Sequence, residues 1–402
     1  MLYRDMRKKL YFLPVYIGSL KYYAKLFPYL EKENDVSFLI VRGDNERRRQ
    51  MIEYCKKEGY PFEVIDSGLN KSLITVPFVT SLFKRYIHAR ACRKFLANSK
   101  ADTVITTKVI APHDVITNEV KRLGIKLLLL QWSSFGSAKV YIKTRNSGSG
   151  VFYVLYYRML DFFKKIVDLK NGYSGLAKLD SIGMIDPRSA RFFTEQGGDP
   201  SKIHIVGTVD HQIASEARKK TAYLKEKYGV SSKRLNILVL SYRFHRAKLG
   251  RKGSDYQIEY FRNIFSLIRS VYSENEANVL FKLHPAEENI YSSFEELGVG
   301  VCGDESETHE LIGLSDLCIT DPWTTANHYI LGSGIPTIFV NLSSLTYLNS
   351  LKDYYNIRNI TTRDEDFSSA LQKFKAGELE KQYDNNEIDT KSIGSIVSFI
   401  IK

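Results

Sequence analysis

SDLCITDPWTTANHYILGSGIPTIFV, residues 315–340, is the stretch from which the fold is read. An apolar run near 316–320 has the length of a strand, and PTIFVN (336–341) is a second such run. Between them, a helix-length segment opens after Asp321-Pro322 and closes at Gly332-Ser333-Gly334. Strand, helix and strand in this order make a βαβ unit, whose strands run parallel. Open parallel sheets bind ligands at the carboxyl ends of their strands. Asp321, Thr324 and Thr325 therefore become candidate ligand contacts. Hydroxyls and free backbone N–H groups at a helix start suit an anion. Plain capping of the helix by Asp321 or Thr324 is compatible with that role.

Upstream, the same series contains RLNILVLSYR (234–243) and NVLFKLHP (278–285). Strands near 236–241, 278–283, 316–320 and 336–340 are expected to be parallel neighbours in one sheet. Lys282 lies within its strand, and His284 follows it with Pro285 fixing the turn. A strand-end histidine can donate to a phosphate oxygen, or simply be solvated. Ser241, Arg243 and Arg246 follow the strand NILVL in a loop that also holds His245, Lys248, Arg251 and Lys252. Such a loop suits a diphosphate or an acidic sugar, and a solvated basic loop is the alternative.

The first half repeats the pattern. Candidate strands are 8–16, 36–41, 62–67, 102–107 and 125–132, with shorter ones at 179–185 and 202–207. The run KLLLL fits a sheet buried on both faces. Asp186-Pro187 reads as an N-cap followed by proline at the first helical position. Residues 133–150 read as a long loop, and 212–234 as an interdomain helix and linker. A chain of 402 residues is too long for one ordinary core. Two domains are expected, 1–215 and 216–402, with the C-terminal helix packing back on the first. Gly207 closes the first half, where a glycine lets backbone approach a nucleotide.

KIHIVG (202–207), FKLHPAEEN (281–289) and the 315–340 stretch together resemble the GT-B superfamily. The likeness is to bacterial surface-polysaccharide transferases, CDP-glycerol glycerophosphotransferases and UDP-N-acetylglucosamine 2-epimerases. It covers roughly residues 178–345 in detail and the first half in outline. It implies an α/β chain of two Rossmann-like domains whose parallel sheets face a central cleft. The second domain then holds the nucleotide donor and the first the acceptor. The resemblance assigns donor-phosphate contacts to His284, Thr324 and Thr325, with Asp321 beside them. His245-Arg246 matches only part of the epimerases' His-Arg motif, because the acidic-amide continuation is missing. LQWSSFGSAK (130–139) sits where the glycerophosphotransferases carry Trp-His-Gly, and Ser133 and Ser134 stand there instead of the histidine. That family's general base is therefore absent.

His113 and Asp114, after the strand DTVITT, are the candidate catalytic base. Helix capping by Asp114 is the competing reading. Gly18 and Ser19, with Ser133 and Ser134, are the candidate acceptor-side residues. Asp364-Glu365-Asp366 resembles a metal-binding DxD motif but precedes FSSALQKF, so it reads as first-turn helix acids. No metal and no cofactor beyond the donor are expected.

The net charge of +13 is unevenly placed: residues 1–200 carry +15 and the rest −2. This asymmetry points to an anionic partner, either a membrane surface or an acidic acceptor, with a merely solvated basic surface as the alternative. No nucleic-acid-binding module is found. The segment VFYVLYYRMLDFFKKIVDLK (151–170) would suit a membrane surface if helical, and packing inside the protein equally well. No apolar run has the length of a membrane span. The four cysteines show no metal or redox spacing and read as reduced core residues. A cytoplasmic chain is expected, peripheral at the inner membrane face. The functional expectation is a metal-independent glycosyltransferase of surface-polysaccharide or lipid-linked glycan synthesis, as in capsule or cell-envelope building. A sugar-nucleotide 2-epimerase or hydrolase, and a non-catalytic glycan-binding protein of the same fold, are the alternatives.

Overall fold

A computed structural model describes residues 7–41, 45–65, 77–107, 114–132, 178–195, 198–241, 252–284, 292–303, 305–322, 324, 326–343, 357–380 and 393–402. They fall into two compact units. The described residues within Met1–Ser134, Gly148–Val209 and Lys391–Lys402 form one, and those within Asp210–Thr390 form the other. The segment 151–170 lies outside the described residues, and no described helix is long and apolar enough to cross a membrane.

The first unit is built on a sheet of seven strands: β1 (Lys9–Leu13), β2 (Asp35–Val41), β3 (Phe62–Ile65), β4 (Thr103–Thr106), β5 (Lys126–Leu130), β6 (Ser181–Met184) and β7 (Ile203–Ile205). Their spatial order is β3-β2-β1-β4-β5-β6-β7, and every pairing is parallel. Helices α1 (Ile17–Ala24), α2 (Phe27–Leu30), α3 (Asn45–Glu58), α4 (Pro77–Ser99), α5 (Asp114–Arg122) and α6 (Pro187–Glu195) fall between the strands. The expected cap holds: Asp186 Oδ1 accepts from the Ser189 N–H at 2.7 Å. One face of the sheet buries an aromatic cluster, with Phe12 4.6 Å from Tyr23 and Phe27 4.6 Å from Phe38, centroid to centroid.

The second unit opens with α7 (Val209–Lys219) and α8 (Thr221–Lys227), the polar stretch expected to be a linker. Its strands are β8 (Leu235–Leu240), β9 (Ala277–Lys282), β10 (Val299–Cys302), β11 (Leu317–Thr320) and β12 (Thr337–Phe339), ordered β10-β9-β8-β11-β12. All pair in parallel, so the four expected strands are neighbours in one sheet. The sequence reading missed β10. Its run is only four residues, contains Gly300 and is half exposed, so it lacks the apolar continuity used to find the others.

Side-chain alternation along β8 divides the core. Ile237 and Val239 face α9 (Lys252–Val271) and α12 (Asp364–Lys375), where Phe261, Phe265, Phe281 and Phe294 interlock. Leu238 and Leu240 face the other layer, which holds Leu311 and Leu314 of α10 (Thr308–Leu314) and Ile330 and Leu331 of α11 (Asn327–Ser333). Two glycines let this layer close. A Cβ on Gly313 would stand 2.8 Å from the Ala217 backbone, and one on Gly332 would stand 2.4 Å from the His211 Cα. Asp364, Glu365 and Asp366 occupy the first turn of α12, and Asp366 pairs with Arg363 at 2.8 Å.

The last helix, α13 (Ile393–Ile401), belongs to the first unit. It buries Ile393, Ile396, Phe399 and Ile400. Gly183 on β6 makes room for it, since a Cβ there would come within 2.9 Å of the Phe399 ring.

Candidate functional site

In each sheet the chain builds outward from the first strand, then returns to the other side of it. This creates a switch point between β1 and β4 in the first unit and between β8 and β11 in the second. Connections on the two sides of a switch point leave in opposite directions, which opens a crevice at the carboxyl ends of the strands.

In the second unit, three adjacent strands, β9, β8 and β11, end in the residues singled out from sequence. Ser241 follows β8 and is buried, its N–H donating to the Lys282 carbonyl at 2.9 Å. Asp321 follows β11 and is buried as well. Lys282 ends β9, also buried, with its ammonium donating to the Gly303 carbonyl at the end of β10. His284, two residues further on, is exposed. Thr324 is half-buried, and its hydroxyl oxygen accepts from the Ala326 N–H at 3.3 Å, closing the turn into α11. Arg243, Arg246 and Thr325 lie outside the described residues.

The structure adds residues that sequence reasoning passed over. Tyr260 of α9 is buried, and its phenol is held well above its usual pKa by burial first and then by the charge of Asp321. Asn327, fully buried, donates from Nδ2 to the Pro322 carbonyl at 3.3 Å, fixing the turn that follows Asp321. His211 and His328 are buried with ring centroids 5.9 Å apart. Amphipathic periodicity places all four in the core, and no local signal separates them from ordinary packing residues.

At the switch point of the first unit, β1 leads through Pro14 into α1, where Gly18 and Ser19 sit. Ser19 is fully buried. Its hydroxyl accepts from the Val15 N–H at 2.9 Å and donates to the Tyr16 carbonyl at 2.8 Å. Gly18 lies under an aromatic pair: Tyr16 and Trp132 meet edge to face at 5.1 Å, and a Cβ on Gly18 would come within 3.1 Å of Tyr16 and 3.4 Å of Trp132. Thr106 and Thr107 at the end of β4 are buried. Asp114 opens α5, while His113, Ser133 and Ser134 lie outside the described residues. Gly207 follows β7 with φ of +77°, a left-handed conformation that glycine adopts without steric cost.

No protein-family model matches the sequence, and no curated relative does. Solved structures do match. UDP-GlcNAc 2-epimerase from Neisseria meningitidis, bound to UDP-GlcNAc, superposes with a TM-score of 0.62 at 12% identity, over 98% of this chain and 98% of that one. Acinetobacter baumannii MurG gives 0.58 at 11% identity, over 98% and 99%. The chain has the GT-B fold. The wall teichoic acid polymerase TagF gives 0.54 at 11% identity, over 98% of this chain and 88% of that one. Identities this low carry the GT-B architecture across and leave the reaction to be argued from this chain's own residues.

Proposed function

We propose that the protein is a glycosyltransferase that moves a sugar from a nucleotide-activated donor to a hydroxyl of a surface-polysaccharide or lipid-linked glycan acceptor. The observation that carries this reading is the grouping of Ser241, Lys282, His284 and Asp321 at the carboxyl ends of β8, β9 and β11, around one switch point. A donor's phosphates need cationic and hydroxyl donors at such a crevice. The Neisseria neighbour is bound to UDP-GlcNAc, and TagF is a polymerase of wall teichoic acid. Nucleotide-sugar and surface-polymer chemistry are what we carry over from them.

In the proposed reaction the acceptor hydroxyl attacks the anomeric carbon, and the bond from that carbon to the leaving phosphate oxygen breaks. The acceptor proton passes to a base, for which His113 and Asp114 are our candidates. His284, Thr324 and Thr325 donate to the phosphate as charge develops on it. Donors aimed at developing charge lower the barrier more than they tighten ground-state binding. Charge on the leaving group is met by these side chains, without a metal. The incomplete His-Arg motif at His245-Arg246 weighs against 2-epimerisation.

A thermal-shift panel of UDP-, CDP-, GDP- and CMP-linked sugars tests the reading. A donor at about 100 times its Kd stabilises the fold by about 2.7 kcal/mol. The stabilising donor should then release its nucleotide only when an acceptor glycan is present. A panel with no shift, or a donor whose sugar is epimerised without acceptor, would overturn the proposal.

A further inference from the structure

A second site lies in the first unit, where α13 packs on its sheet. A cavity of about 580 Å³ runs between α13 and the strands β5 to β7. The sequence of α13 explains why the space is there. Ile393, Ile396 and Ile400 turn one face of the helix into the core. The cavity face carries Gly394, Ser395, Ser398 and Lys402, which leave room where another isoleucine stripe would fill it. Phe399 lies against Gly183, and the exposed His204 of β7 stands 5.5 Å from the Phe399 ring.

Beside the apolar Ile205, Val206 and Phe399, the polar part of the lining consists of cationic and hydroxyl groups. Lys126 and Ser181 open β5 and β6, and Lys402 follows the last turn of α13. Lys8 stands at the same helix end, donating to the Ile401 carbonyl at 2.7 Å. Burial, and then the charge of Lys8, lower the Lys126 pKa. The carboxylate of Asp180 offsets part of this shift, while pairing with Lys121 at 2.6 Å and accepting from the Leu127 N–H at 2.7 Å. Among the described residues, the Ser181, Ser395 and Ser398 hydroxyls make no hydrogen bond to protein.

We propose that this cavity binds a phosphate group, with Lys126 and Lys402 supplying the charge and Ser181 and Ser398 donating hydroxyl hydrogen bonds. The same phosphate chemistry occurs in a soluble phosphate ester and in the headgroup of an anionic lipid. The site is independent of the proposed transfer reaction, because it uses none of its residues.

The test uses the full chain, with inorganic phosphate and glycerol 3-phosphate in calorimetry at constant ionic strength. Co-sedimentation with phosphatidylglycerol and phosphatidylcholine vesicles runs alongside. Three variants are compared: Lys126→Gln with Lys402→Gln, Ser398→Leu, and His284→Ala. Ser398→Leu fills the cavity and leaves the charge unchanged, and its exposed helical position makes folding safe to check by circular dichroism. The expected result is at least about tenfold weaker phosphate or phosphatidylglycerol binding in the first two variants, the scale of losing one or more charge-assisted hydrogen bonds. His284→Ala should keep the component of binding that Ser398→Leu removes, whatever it loses at the donor site, which separates the two sites. Binding of glycerol 3-phosphate without vesicle preference assigns a soluble ligand. Preference for phosphatidylglycerol that Ser398→Leu removes assigns a lipid headgroup. No binding of either probe overturns the proposal. So does binding that Ser398→Leu leaves undiminished, and so does loss of the Ser398-dependent component in His284→Ala.

Discussion

The two sheets share one order around their switch points and differ in what stands there. At the first stand the uncharged side chains of Thr106, Thr107, Ser19 and the Tyr16–Trp132 pair, with Asp114 opening the helix after β4. At the second stand a buried lysine, a buried carboxylate and an exposed histidine. Yet residues 1–200 carry +15 and residues 201–402 carry −2. The charge of a half therefore says little about the charge of its crevice. Long basic side chains are solvated easily and spread over surfaces. The few ions that matter for a site are those placed at strand ends, where the backbone fixes their position.

Several experiments would break or sharpen this contrast. The largest effect should come from the aromatic layer under the second sheet. Phe281 is fully buried against Phe261, Phe265 and Phe294, so Phe281→Ala should cost about 3–5 kcal/mol in denaturant unfolding. A loss under 1 kcal/mol would mean that the layer is loosely packed and cannot hold the strand ends in place. Next comes His284→Ala, expected to lower turnover with the right donor by roughly 10²-fold while the melting temperature stays put. Full activity in that variant would remove His284 from the charged set of the second crevice.

Gly332→Ala should cost about 1–3 kcal/mol, because its methyl would meet the His211 backbone, which cannot rotate away. Parent-like stability would show that α11 can shift on α7. In the crevice of the first unit, Trp132→Ala should raise the acceptor KM and leave the donor-induced thermal shift as it was. An unchanged KM with a lost donor shift would reverse the roles given to the two units.

The smallest effect is electrostatic. Glu276 is held down to about 2 by hydrogen bonds from Lys375 and from the Ser273 hydroxyl and N–H, against an ordinary value of 4.5. A depressed carboxylate stabilises the fold above its unfolded pKa, and that contribution is lost as pH falls from about 4.5 towards about 2. Glu276→Gln should flatten the stability curve in that window and change nothing at neutral pH beyond the lost pair. An unaltered acid limb would show that Lys375 and Glu276, both well exposed, are screened by solvent.

Much of the candidate site was legible because strand ends are legible. Ser241, Lys282, His284 and Asp321 each sit at or just past an apolar run, and alternation of short apolar and longer amphipathic segments gives a parallel sheet. The cap at Asp186 and the first-turn acids of α12 were read on the same local footing. Tyr260 and Asn327 were not legible, since each reaches the site from a helix whose register against the sheet depends on distant contacts. The strand β10 was missed because its residues are half exposed and its place is set by pairing with β9.

The sequence alone determined the βαβ alternation, the parallel sense of the strands and the residue types at their ends. These are local properties of hydrophobic spacing and turn chemistry. Only the tertiary structure decided the order of the strands within each sheet, because that order depends on which side of the first strand each helix crosses. The return of α13 to the first unit was expected from the sequence, and the tertiary structure supplies its cause: Gly183 leaves room for Phe399 of the helix, about 200 residues further along the chain.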